Sequence, residues 1–132
     1  MLASGTSHPP LADAWRESMT PAQLLLSRHG RIGRARWWAF GIGVPLAIFV
    51  IGHALMQIAG LDGSSAINGA VRLLALIPMV AVTAKRWHDL GRSAWWVALL
   101  VIPVLGLAWT ALECGLRRGQ PGDNRYGPQP AG

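Results

Sequence analysis

The sequence predicts an all-α membrane protein: three transmembrane helices, a short interfacial amphipathic helix before them, and an irregular Gly- and Pro-rich C-terminal tail. Three observations carry this. Charged residues make up 14% of the 132 positions and hydrophobic ones 52%, whereas soluble domains carry about 25% charge. The apolar residues gather in blocks of about twenty, the length that crosses a hydrocarbon core of about 30 Å. The arginines and tryptophans sit at the edges of those blocks, where membrane proteins keep them. A soluble enzyme, a disordered chain and a disulfide scaffold all fit poorly, and the single cysteine, Cys114, cannot form an internal disulfide.

Residues 1–19 show neither helical nor strand period and are expected to be a disordered tail. They have no basic start leading into an apolar core, so they do not read as a signal peptide. The membrane domain is expected over 20–118. It opens with the helix 21–29, where Thr20, Pro21 and Gln23 form a capping box with proline at the first helical position. About two turns long, this helix is expected to lie in the interface.

The first span is expected over about 37–60, which holds no charged residue. The second runs over about 66–90, with Arg72 near enough to its start to snorkel and Pro78 inside it as a kink. Gly91 suits a helix C-cap and Ser93 an N-cap. The third span is expected over about 94–116, with Pro103 and Gly106 near its middle, and the irregular tail over 119–132. Basic residues flank the first span and the turn at 85–93, which puts the N-terminus in the cytoplasm. Three spans would leave the C-tail outside, despite Arg117, Arg118 and Arg125. The rival is a third segment broken at Pro103 and Gly106 that re-enters the membrane and returns the tail to the cytoplasm.

The chain carries 12 Lys+Arg against 6 Asp+Glu, a formal net charge of +6. The arginines border apolar blocks rather than an amphipathic surface, so nucleic acid is not an expected partner. Arg28, Arg31, Arg34 and Arg36 read as a basic girdle, and Trp37, Trp38, Trp87, Trp95 and Trp96 as an aromatic belt at the same depth. The densest chemistry is Lys85, Arg86, His88, Asp89, Arg92 and Ser93. Neighbouring helical side chains diverge by about 100°, so His88 and Asp89 are not expected to share a metal. Instead, Asp89 is expected to pair with Lys85 and Arg86, with Arg92 closing over it. Asp89 and Glu113 are expected at opposite ends of the third span. His53 and Gln57 share a face of the first span, and Ala39, Gly43 and Ala47 offer small residues for close helix approach. No catalytic residues, metal or cofactor are expected.

Three stretches together resemble a known family. Gly30-Arg31-Ile32-Gly33-Arg34-Ala35-Arg36-Trp37-Trp38 is similar to its opening motif. Lys85-Arg86-Trp87-His88-Asp89-Leu90-Gly91-Arg92-Ser93-Ala94-Trp95-Trp96 is similar to its central motif, with Trp87 for the usual Leu and Ala94 for the usual Gly. The tail from Gly119 to Pro128 is similar to its C-terminal signature, ending in Asn124, Arg125, Tyr126, Gly127 and Pro128. The family is domain of unknown function 805, and the resemblance implies a multi-pass protein of the bacterial inner membrane without implying an activity. The leading functional expectation is a non-enzymatic module that binds a membrane-protein partner, membrane lipid such as anionic lipid, or another copy of itself. The alternative is a subunit of an oligomeric channel or transporter. An enzyme acting on lipid headgroups through His88 and Asp89 has least support.

Overall fold

A computed structural model of the chain describes residues 20–26, 29–61 and 65–130. The expected N-terminal tail 1–19 and Arg28 of the girdle lie outside the described residues. Helix α1 is Pro21–Leu26. Its start is a closed capping box: the Thr20 amide donates to Gln23 Oε1 at 3.1 Å, and the Gln23 amide donates to Thr20 Oγ1 at 3.2 Å.

Helix α2 is Arg34–Ile58, and α3 is Ser65–Asp89. Both are long and apolar enough to cross a membrane. Within α2 the stretch Trp37–Gly43 is wound as a π-helix, ending with the Val44 amide bonded to the Ala39 carbonyl. Pro45 explains why this sits just before it. Proline has no amide to give, and its ring would clash with the carbonyl four residues back in a regular helix. The two long helices run antiparallel and approach at glycines. A Cβ on Gly41 would stand 3.2 Å from Val82 Cγ1, and one on Gly52 would stand 2.8 Å from Val71 Cγ1. Ala39, Gly43 and Ala47, the expected small-residue face, are exposed and point away from this contact.

Helix α3 ends where Gly91, at φ +74°, takes a left-handed conformation. The Arg92 amide then reaches the Trp87 carbonyl at 2.9 Å and the Gly91 amide the His88 carbonyl at 3.0 Å, a Schellman cap. Ser93 caps the next element by accepting from the Trp95 amide.

The third apolar segment is not one helix. Ala94–Val101 is a 3-10 helix, and helix α4 is Leu105–Leu116, whose last turns, Ala111–Leu116, are again π-wound. Between them the chain reverses. Val104 has φ +57° and ψ −66°, and the Leu105 amide bonds the Pro103 carbonyl at 2.6 Å, a strained γ-turn. Pro103 ends the first arm because its ring excludes the helical carbonyl position behind it. Gly106 lets the second arm return, since a Cβ there would overlap the Leu99 carbonyl. A single continuous third span is therefore replaced by a hairpin.

Both ends of the hairpin meet the carboxyl end of α3. The buried core lies there: Leu24, Ile32, Trp37, Val82, Trp87 and Cys114. Every residue from Ala81 to Asp89 is buried, whereas most of the earlier part of α3 is exposed. Burial is thus concentrated at one end, where α1, the hairpin and the tail close around α3.

Candidate functional site

The buried end holds most of the chemistry that the sequence singles out. Arg31, Lys85, Arg86, His88 and Asp89 are all buried. Asp89 is the shared anion. Its Oδ1 accepts from Arg31 Nε at 3.1 Å and Nη2 at 2.9 Å, and its Oδ2 pairs with Arg86 Nη1. Arg31 uses its remaining donors on the tail, reaching the carbonyls of Gln120 at 2.7 Å, Gly122 at 2.7 Å and Gly127 at 3.2 Å. All five of its N–H donors are therefore engaged. That removes Arg31 from the expected exposed girdle. Arg34 and Arg36 remain exposed.

The other cations serve helix ends. A helix leaves its last four carbonyls unbonded and its carboxyl end partially negative. Lys85 Nζ donates to the Leu24 carbonyl at 2.7 Å and also to that of Gln23, closing the end of α1. Arg86 donates to the Cys114 carbonyl at 2.7 Å, to that of Arg117, and to the Ile32 carbonyl at 3.3 Å, closing the end of α4. The tail closes α3: the Gln120 amide bonds the Asp89 carbonyl at 2.8 Å, and Asn124 Nδ2 bonds the His88 carbonyl at 2.9 Å. Three helix carboxyl ends thus converge on a basic cluster with one carboxylate. The negative ends and Asp89 together balance the buried positive charge.

Several expected pairings change accordingly. Lys85 does not pair with Asp89, because α1 supplies it with carbonyls. Arg92 does not close over Asp89. It lies 4.4 Å over the Trp96 ring and 3.8 Å from Glu113, which also accepts from Arg117 at 2.9 Å. A continuous third span would put Glu113 and Asp89 at its opposite ends; the hairpin instead brings Glu113 back to the level of Arg92. His88 stacks on Tyr126 with centroids 4.0 Å apart and planes within 6°, and its Nδ1 lies 3.3 Å from the Gly30 carbonyl. Arg125 lies over the same Tyr126 ring. Asn124 and Gly127 close a tight turn by mutual amide bonds, which presents Gly127 to Arg31. Pro128 follows that turn, half-buried.

The tryptophans divide. Trp38, Trp95 and Trp96 are exposed, while Trp37 and Trp87 are core residues rather than belt residues. The Trp37 indole donates to Thr83 Oγ1 at 3.2 Å, and the Trp38 indole to the Gly115 carbonyl at 3.3 Å. Near the carboxyl end of α2, His53 Nδ1 lies 2.9 Å from the Phe49 carbonyl of its own helix, and Gln57 is exposed. Among the described residues there is no group of three His, Cys, Asp or Glu that could hold a metal. The docking of the tail onto Arg31 and His88 was not legible in the sequence. Its signal was present only as the two motifs Gly30–Trp38 and Gly119–Pro128, with nothing to say that they touch.

The architecture defines a class: a small helical protein with two helices of membrane-crossing length and a hairpin, tied at one end by a buried charge cluster. Residues 25–128 match the family described as Protein of unknown function (DUF805), and the chain belongs to that family. It is 35% identical over 105 residues to Inner membrane protein YhaH of Escherichia coli (strain K12), covering 77% of this chain and 85% of that protein. It is 31% identical to Uncharacterized protein YiiR of the same strain, covering 83% of this chain and 89% of that one. Inner membrane protein YhaI of that strain is 29% identical, with 76% and 83% covered. No solved structure matches.

Proposed function

We propose that this chain is a non-enzymatic module of the bacterial inner membrane that associates with another copy or a membrane-protein partner and holds anionic lipid at its basic end. In this reading α2 and α3 cross the bilayer and the hairpin is re-entrant. The buried cluster and both flanking tails face the cytoplasm, where basic residues are retained, and α1 lies in the interface beside them.

The observation that carries the non-enzymatic reading is that the cluster is saturated from within. Asp89 is held by two guanidiniums, Lys85 and Arg86 by helix-end carbonyls, and His88 by Tyr126 and Gly30. The charged members thus spend their bonds on one another and on helix ends, which favours a structural role over catalysis. The association reading is supported by the hairpin. Eight residues of 3-10 helix reach about 16 Å, close to the midplane of a hydrocarbon core about 30 Å thick. Ile102, Pro103 and Val104 at its tip are exposed with non-helical backbone. Irregular backbone at that depth needs protein cover. A channel subunit has less support, because His53 is turned onto its own helix.

Two measurements test this. Native mass measurement after extraction in mild detergent should find more than one copy, or a bound partner, together with lipid; a bare, lipid-free monomer would sink the proposal. A C-terminal reporter and one inserted after Ser93 should both signal cytoplasmic location. An external C-terminus would restore a third full span.

A further inference from the structure

Beside the saturated cluster lies a cavity of about 780 Å³, bounded by the amino end of α2, the carboxyl end of α4 and the tail. Its lining holds three arginines, Arg34, Arg86 and Arg118, against one carboxylate, Asp89. Arg86 and Asp89 are buried and neutralise each other, with Arg31 as the third member. Arg34 and Arg118 are exposed. Arg34 gives one bond, from Nη1 to the Leu116 carbonyl at 3.2 Å. Arg118 has no protein partner among the described residues. Among the described residues the nearby carboxylates are engaged elsewhere: Glu113 with Arg92 and Arg117, and Asp123 Oδ1 with the Gln129 amide. Two guanidiniums with no counter-charge among the described residues therefore line one concave space. Gly33 and Ala35, at the uncapped amino end of α2, also line it, so the helix field adds the same sign. Gly115, in the cavity wall, bonds the exposed Trp38 indole, which fits an interfacial depth.

We propose that this cavity binds a phosphate group between Arg34 and Arg118, supplied by an anionic lipid headgroup or by free phosphate. The inference rests on the membrane-module reading and deepens its lipid-binding part. Guanidinium forks match phosphate oxygens in geometry and charge. The volume lies in the range that encloses a small ligand and suits a headgroup rather than a whole lipid.

The test uses the full chain in neutral detergent, titrated with short-chain phosphatidylglycerol, with inorganic phosphate, and with the matching diacylglycerol, which lacks phosphate. Phosphatidylglycerol should bind saturably and diacylglycerol should not. Saturable binding of inorganic phosphate as well assigns a free-phosphate site, and binding of phosphatidylglycerol alone assigns a headgroup site. Arg34→Gln with Arg118→Gln should weaken binding about tenfold or more. Arg36→Gln, an exposed arginine outside the lining, should change it less than about twofold. Arg34 touches α4, so Arg118→Gln alone is the second variant; it should weaken binding while leaving the melting temperature unchanged. Unchanged affinity in Arg118→Gln overturns the clamp, and so does an equal loss in Arg36→Gln, which would mean diffuse charge. If the parent chain binds no probe, the clamp is overturned, while the module reading stands on its own mass and topology measurements.

Discussion

Asp89→Asn should be among the most damaging single changes in this chain. The substitution keeps the shape of the side chain. Its remaining carbonyl oxygen can still accept the Arg31 Nε and Nη2 bonds that Oδ1 accepts now. The new amide group falls where Oδ2 meets Arg86 Nη1, so a donor faces a donor. The larger effect is charge. Arg31 and Arg86 would stay buried, together with Lys85, without a counter-anion. Removing one partner of a buried ion pair costs about 3–5 kcal/mol, because the charge left behind is uncompensated. Whole domains are stable by only about 5–15 kcal/mol. For a domain of this size that is a fall of about 10–20 °C in thermal midpoint. Thermal unfolding of the purified chain in neutral detergent measures it, with Arg36→Gln as an exposed control expected to shift little. An Asp89→Asn midpoint within a degree or two of the parent would refute the account of Asp89 as the anion on which the closed end depends.

Gly106→Ala separates the hairpin from a straight third helix. A straight helix would gain about 1 kcal/mol from the change, whereas the hairpin must move the Leu99 carbonyl and should lose about 1–3 kcal/mol, read as lower folded yield. Lys85→Met keeps bulk but removes the Lys85 bonds to the Gln23 and Leu24 carbonyls, at about 1–3 kcal/mol; amide exchange should accelerate across α1 first. Tyr126→Leu removes the stack on His88, about 0.5–1.5 kcal/mol, and should raise protease sensitivity within 119–130 before any loss elsewhere.

The sequence alone determined the parts that depend on neighbours along the chain. The capping box at Thr20–Gln23 is decided within four residues, and the Gly91 and Ser93 caps within six, so composition and spacing suffice. The two long helices follow from long apolar runs, the first without a charge over 37–60 and the second broken near its start by Asn68 and Arg72 before Lys85. Pro103 and Gly106 already marked a weakness in the third segment, and both outcomes were open because a proline inside an apolar run fits either a kink or a reversal. The tertiary structure decided between them: Arg86 holds the far end of α4, and Glu113 returns to Arg92. The local Arg86–Asp89 pair is legible from spacing on one helix, whereas the tertiary structure decided the partners of Arg31 and Lys85. By sequence distance, Asp89 should prefer Lys85 and Arg86 on its own helix; Arg86 does bond Oδ2, yet Arg31, 58 residues away, contributes two bonds to Oδ1 and Lys85 none. Local spacing says which side chains can meet. It does not say which carbonyls and helix ends will arrive to compete for them, and here three helix ends and a folded tail do so at one place. That convergence is a property of packing, and it divides the described arginines of the basic girdle: Arg31 is buried beside Asp89 with Lys85 and Arg86, while Arg34 and Arg36 are left facing outward.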